Sequence, residues 1–275
     1  MRQLLKNRLN LIVFPVLGIV LLASLVLMIV LTVSVLKVQS GPKPGPETGP
    51  SETSAETQAT THPSLLTGTE DAGTAYQDSL IFVGDSTTAH LRSRGVLTDG
   101  TDTKQVWCPS NNTLLLTSQI TSLQIVYPDT GEEMTIPEAA GQKRPAVMIL
   151  TIGLNGVTSS VKQKDNFLYD YRKLTQAIAE ASPDTVIVIQ SVFPVAANCD
   201  AFSVGPDEIN RDIRTLNGWL LEFADENGYR YLDTASVLTD ENGMLPESYQ
   251  AGDGIHLTAD AYRTVLQYIR THACP

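Results

Sequence analysis

Apolar residues fall along this chain in three regimes. Leu9–Leu36 is apolar almost without interruption, with no charge and one proline, Pro15. As a helix that run would extend about 42 Å at 1.5 Å per residue, against a hydrocarbon core of roughly 30 Å. It predicts one transmembrane helix over residues 9–36, too long for an ordinary signal-peptide core. From residue 37 to 75 Pro, Gly, Ser, Thr and Glu dominate and large apolar residues almost vanish. Such a composition buries too little surface to offset the entropy of ordering, and predicts a disordered, partly extended linker. Apolar clusters return over residues 76–275 and predict one folded domain with its own core.

Inside that domain five runs rich in β-branched residues stand out: Ser79–Val83, Gln105–Cys108, Ala146–Ile152, Thr185–Val192 and Tyr229–Leu232. Several are apolar on consecutive positions, the pattern of strands covered on both faces of a parallel sheet. Helical spacing separates them. Phe167, Tyr171, Leu174 and Ile178 form one stripe, and Ile209, Ile213, Leu216, Leu220 and Phe223 form another. A last helix is expected to start at Thr258, a good N-cap, and to present Tyr262, Leu266 and Ile269 on one face. Strands alternating with helices predict an α/β fold, a three-layer doubly wound sandwich around a central five-stranded parallel sheet. One segment breaks the alternation. Residues 123–145 predict a β-hairpin turning at Asp129-Thr130-Gly131, then a short helix.

Charge sets the topology. Arg2, Lys6 and Arg8 precede the apolar span and only Lys37 follows closely, which places residues 1–8 in the cytoplasm and everything after Lys37 outside the cell. All 30 acids lie beyond residue 37, against 15 of the 19 bases, a balance of about −15. That excludes nucleic acid as a partner, because phosphate binding needs a basic face, and it disfavours docking of the domain on an anionic membrane surface. The lipid bilayer is then a partner through the N-terminal helix alone. Of three cysteines, Cys108 and Cys199 follow strands at the same end of the sheet, where a disulfide would brace a pocket rim. No Cys/His cluster has zinc spacing, and no metal or organic cofactor is implied.

Ligands of open α/β sheets sit beyond the carboxyl ends of the strands. Gly84-Asp85-Ser86 follows the first run, "CPSNNT" (Cys108–Thr113) the second, "GLNG" (Gly153–Gly156) the third and Phe193–Asp200 the fourth; "GDGIHLT" (Gly252–Thr258) comes near the chain end. A serine nucleophile needs a base, an acid that orients the base, and donors for an oxyanion. Of four histidines, His62 lies in the linker, His272 ends the last helix and His90 sits one turn beyond Ser86 on the same helix, leaving His256 as the base. Asp253, three residues earlier, can reach the imidazole Nδ1 while Nε2 faces Ser86. The Asn155 amide and the Ser86 N–H at a helix start are candidate oxyanion donors.

These blocks together resemble the SGNH (GDSL-type) hydrolase family of esterases and lipases. "VGDS" (Val83–Ser86), "TIGLNG" (Thr151–Gly156) and "DGIH" (Asp253–His256) carry the resemblance. It implies a flavodoxin-like sheet with Ser86 as nucleophile, His256 as base, Asp253 as its orienter and Asn155 as an oxyanion donor. It also resembles a membrane-tethered, exported subgroup of Gram-positive bacteria. The second block departs from the family: Asn111 or, better placed, Asn112 stands where a glycine N–H completes the oxyanion hole. The expected activity is a serine esterase acting on a small acyl ester or an acylated glycan, such as O-acetylated wall polysaccharide or peptidoglycan. A catalytically weak glycan-binding or envelope-assembly module, or an O-acyltransferase using the same site, are the alternatives.

Overall fold

Each of the five apolar runs supplies one strand of a single parallel sheet in the computed structural model, which describes residues 62–274. In chain order the strands are β1 (Leu80–Gly84), β2 (Val106–Trp107), the hairpin pair β3 (Gln124–Val126) and β4 (Glu133–Thr135), then β5 (Val147–Thr151), β6 (Val186–Gln190) and β7 (Arg230–Leu232). The sheet order is β2-β1-β5-β6-β7. Every neighbouring pair in it is parallel. The helices are α1 (Gly73–Asp78), α2 (Ser86–Ser93), α3 (Ile136–Lys143), α4 (Val157–Ser160), α5 (Lys164–Ala181), α6 (Pro206–Asn227) and α7 (Ala259–Arg270).

Burial explains why the strands are apolar on consecutive positions. Ile81 and Val83 of β1 pack into one core cluster with α5 and α6, while Leu80 and Phe82 pack into a second with α2 and α7. The stripes Phe167–Ile178 and Ile209–Phe223 are the buried faces of α5 and α6. Tyr262, Leu266 and Ile269 do the same for α7, which starts at Thr258 with the hydroxyl accepting from the Ala261 N–H. Each fully buried side chain of this kind contributes roughly 1.5–3 kcal/mol. The hairpin expected between residues 123 and 145 is present, antiparallel, with Gly131 at φ 79° in its turn and α3 behind it.

The transmembrane span 9–36 lies outside the described residues; among the described residues no helix is long and apolar enough to cross a membrane. The domain also begins earlier than residue 76. The Leu66 N–H donates to the Tyr231 carbonyl and the Tyr231 N–H to the Ser64 carbonyl, both at 2.8 Å. Residues 64–66 thus cover the outer edge of β7, an edge that would otherwise offer unpaired backbone groups. Leu66 is buried and Asp71 pairs with Arg270 at 3.0 Å. Averaged composition hid these contacts: Leu65 and Leu66 are two apolar residues in a polar stretch.

The order of the sheet locates a site. From β1 the chain moves to β2 on one side and then returns to β5 on the other. The crevice between β1 and β5 is therefore the topological switch point, where such sheets bind ligands. Gly84 closes β1 there. A Cβ on Gly84 would lie 2.6 Å from the Thr151 carbonyl oxygen and run into the Thr88 hydroxyl. Gly84→Ala must push backbone away, so it is expected to destabilise by about 1–3 kcal/mol. In a domain of this size that is a Tm lower by about 2–4 °C per kcal/mol, read in a thermal melt.

Candidate active site

Ser86 owes its position to the residue before it. Asp85 is extended (φ −92°) and caps α2: its Oδ1 accepts the Thr87 N–H at 2.9 Å and the Thr87 hydroxyl at 2.7 Å. Ser86 is then the first residue of α2, where its N–H has no carbonyl of the helix within reach and feels the positive end of the helix dipole. Asp85 is itself buried, and burial pushes its carboxyl pKa up against the opposing Thr87 hydrogen bonds and the nearby His256.

The loop before α7 brings the imidazole to this serine. His256 Nε2 lies 2.9 Å from Ser86 Oγ, and His256 Nδ1 lies 2.6 Å from Asp253 Oδ2. Asp253 Oδ1 accepts the backbone N–H groups of Ile255 (3.0 Å) and His256 (2.9 Å), so the same carboxylate closes the turn and faces the ring. Partial burial works to raise the Asp253 pKa. The hydrogen bonds from the His256 ring and from these two N–H groups outweigh it and hold the carboxyl at about 2.

A second layer fixes the loop. Asn210 on α6 is buried and grips Val195 through both its N–H (2.9 Å) and its carbonyl (2.8 Å). The Ala196 N–H donates to the Gly254 carbonyl at 2.8 Å, and Gln250 Oε1 accepts the Gly254 N–H at 3.1 Å. Gly254 has φ 76°, and a Cβ there would sit 2.7 Å from the Cys199 backbone. Only glycine suits that close approach. Asn210 and Gln250 escaped the sequence reading, although Asn210 stands beside the apolar stripe of α6, where a polar residue asks for a partner.

The expected oxyanion donors come out differently. Asn155 reaches across the switch point to Asp85, the residue before Ser86. Its Nδ2 group already donates to Asp85 Oδ2 (3.2 Å) and to the Leu114 carbonyl (3.1 Å), so both amide hydrogens are engaged. Asn112 adopts the left-handed conformation that a glycine would, with φ 56°. Its N–H, however, donates to the Pro109 carbonyl at 2.8 Å. That is a correction to the sequence reading: the second-block N–H closes its own turn and is not a free donor. Cys108 and Cys199, for which the sequence left a disulfide or two thiols open, are both free thiols, buried in different core clusters. Their strands β2 and β6 stand three positions apart in the sheet, about 14 Å at 4.8 Å per strand, and the loops do not close that gap to bonding range.

His90 is a site residue that the sequence reading set aside. Its ring packs on that of His256, with centroids 4.1 Å apart and planes tilted by 33°. Helical spacing from Ser86 placed it on the right face of α2; what the sequence did not show is that His256 arrives on the same face. His90 Nδ1 is buried without a hydrogen-bond partner. Burial first, then the His256 and Arg94 charges, lower its pKa to about 4, with Asp253 pulling the other way. Between pH 6.5 and 4 the unfolded chain binds a proton here that the folded chain does not, so folding stability falls as pH falls through that window. His90→Leu is expected to flatten this part of the Tm-against-pH curve; an unchanged slope would show that His90 does not stay neutral.

A parallel α/β sheet here carries a serine, an imidazole and a carboxylate in one hydrogen-bonded chain at its carboxyl edge, an arrangement suited to nucleophilic attack on an acyl group. The chain belongs to the GDSL-like lipase/acylhydrolase family, whose sequence profile matches residues 82–264. Similar solved structures include a GDSL-like lipase from Bacteroides thetaiotaomicron, 17% identical, TM-score 0.46, covering 70% of this chain and 87% of that one. A family 3 carbohydrate esterase from Clostridium thermocellum is 14% identical, TM-score 0.45, covering 70% and 93%. One from Talaromyces cellulolyticus is 12% identical, TM-score 0.46, with the same coverage of 70% and 93%. A search of the curated proteins finds no match. The assignment rests on the profile.

Proposed function

We propose that the chain is a membrane-anchored extracellular serine esterase that removes small acyl groups, and that acylated wall glycan is its substrate class. The observation that carries the reading is the Asp253–His256–Ser86 chain, with links of 2.6 and 2.9 Å. Ser86 Oγ attacks the ester carbonyl carbon while its proton passes to His256 Nε2. Asp253 holds the ring tautomer and stabilises the imidazolium. The tetrahedral oxyanion takes the Ser86 N–H, and Asn155 joins by trading its long bond to Asp85 or Leu114 for a charge-assisted one. Collapse expels the alcohol, which takes the proton back from His256. Water, deprotonated by the same ring, then releases the acid and frees Ser86.

Location supports the substrate class. The apolar run 9–36 with its basic N-terminal flank favours a signal anchor, and the linker keeps the domain within reach of the cell surface. The acidic balance beyond residue 37 favours neutral over anionic substrates. The test is acetate release from p-nitrophenyl acetate and from an O-acetylated oligosaccharide, with Ser86→Ala as the control. Release by the parent chain that the substitution abolishes supports the reading, and release that survives it overturns it. Product analysis with a free sugar acceptor present separates hydrolysis from acyl transfer.

A further inference from the structure

A groove of about 530 Å³ opens beside the switch point, between the loop after β2 and the helices α4 and α5. It lies within the range of small-molecule sites, about 300–1,000 Å³. It starts where the candidate active site ends. Asn155 is held by the Leu114 carbonyl, and the groove is lined by the residues that follow each of them, Leu115 and Gly156. Gly156, at φ 78°, lets Leu115 close over it: a Cβ would lie 2.8 Å from Leu115 Cδ1.

The lining has a distinct chemistry. Among the described residues only Leu115, Tyr169 and Val186 are large hydrophobics left exposed, and two of these three flank this groove. Tyr169 is 62% exposed. Scattered exposed apolar side chains need no explanation, but two on one concavity do. Between them stand Gln163, Asn166 and Asp170, which offer amide donors, amide acceptors and a carboxylate. No Lys or Arg lines the groove. Lys173, outside the lining, donates to the Ser118 carbonyl and lies 5.9 Å from the Tyr169 ring centroid. It ties the two walls together.

We propose that this groove binds the neutral glycan chain of the substrate, with Tyr169 as the stacking platform. The proposal rests on the esterase reading for the position of the acyl group. A pyranose ring has an apolar C–H face, which suits Tyr169 and Leu115, and a rim of paired hydroxyls, which suits carboxamides and a carboxylate. An acyl tail would fit worse, because it would strip water from Gln163, Asn166 and Asp170 and give nothing back. An anionic glycan would meet the Asp170 carboxylate, and no Lys or Arg lines the groove to compensate.

The experiment compares Tyr169→Ala and Asn166→Ala with the parent full chain on three esters: partially O-acetylated xylotetraose, p-nitrophenyl acetate and p-nitrophenyl decanoate. For Tyr169→Ala the expected result is a KM raised about tenfold on the oligosaccharide, kcat within threefold, and unchanged turnover of p-nitrophenyl acetate. Asn166→Ala should move KM the same way. A loss confined to the decanoate assigns the groove to the acyl tail and overturns the proposal, as does equal behaviour on all three. Should the parent chain turn over none of them, the esterase reading fails and the groove is judged by binding alone. Unacetylated xylotetraose is then titrated calorimetrically into Ser86→Ala and Ser86→Ala/Tyr169→Ala. A Kd about tenfold weaker in the double variant sustains the groove, and equal affinity or no binding overturns it.

Discussion

Ser86→Ala is expected to lower kcat on p-nitrophenyl acetate by about 10⁴–10⁶-fold, and His256→Ala to lower it to the same floor. No substitute nucleophile stands ready. The neighbouring Thr87 hydroxyl is committed to Asp85 at 2.7 Å, and the Thr88 hydroxyl is buried beside Gly84. The fold should survive either change. Ser86 is half-buried and loses one hydrogen bond, a cost of about 0.5–1.5 kcal/mol. The stricter measurement is the double variant. Serine and imidazole act as a unit, so removing both should be no worse than removing one. Losses that multiply would mean that the two residues contribute independently, and the attack by a His256-activated Ser86 would have to be abandoned.

Which parts of this site were visible in the sequence follows from how local each is. The Asp253–His256 contact spans three residues, and one turn fixes it, so spacing alone was enough. Ser86 at the end of β1 was visible because a consecutive apolar run stops at Gly84. Asn112 illustrates the limit. Its left-handed backbone was foreseeable from residue type, but whether its N–H faces the site or the Pro109 carbonyl depends on how the loop after β2 closes. Asn155 could be put on the loop after β5 from the sequence, but its engagement with Asp85 and Leu114 joins residues 70 and 41 positions apart. The His90–His256 stack and the strap formed by Leu65 and Leu66 are of the same kind. Periodicity reports which face of an element is buried; it does not report which distant group meets that face.

Asp253→Asn should be nearly as damaging as loss of the serine, for a reason that lies in the tautomer. In the parent chain Asp253 Oδ2 faces His256 Nδ1 at 2.6 Å, so the ring carries its proton on Nδ1 and turns a lone pair on Nε2 towards Ser86. An asparagine keeps one oxygen for the Ile255 and His256 N–H groups, which preserves the turn. Its NH₂ group must then face Nδ1, and two donors repel. The ring shifts its proton to Nε2 and can no longer accept one from Ser86. A fall in kcat of about 10⁴-fold is expected, with Tm at neutral pH little changed. Asp253→Ala differs because it strips the turn of its acceptor as well, so its Tm should drop. The two variants share a further signature. The Asp253 pKa, held at about 2, lies below its ordinary value of 3.8, so the stabilisation is present above about pH 3.8 and is lost as pH falls towards 2. Both should lack that acid-sensitive part of the Tm-against-pH curve. If Asp253→Asn keeps its rate within tenfold of the parent, the carboxylate serves the turn alone, and His256 takes its tautomer from elsewhere.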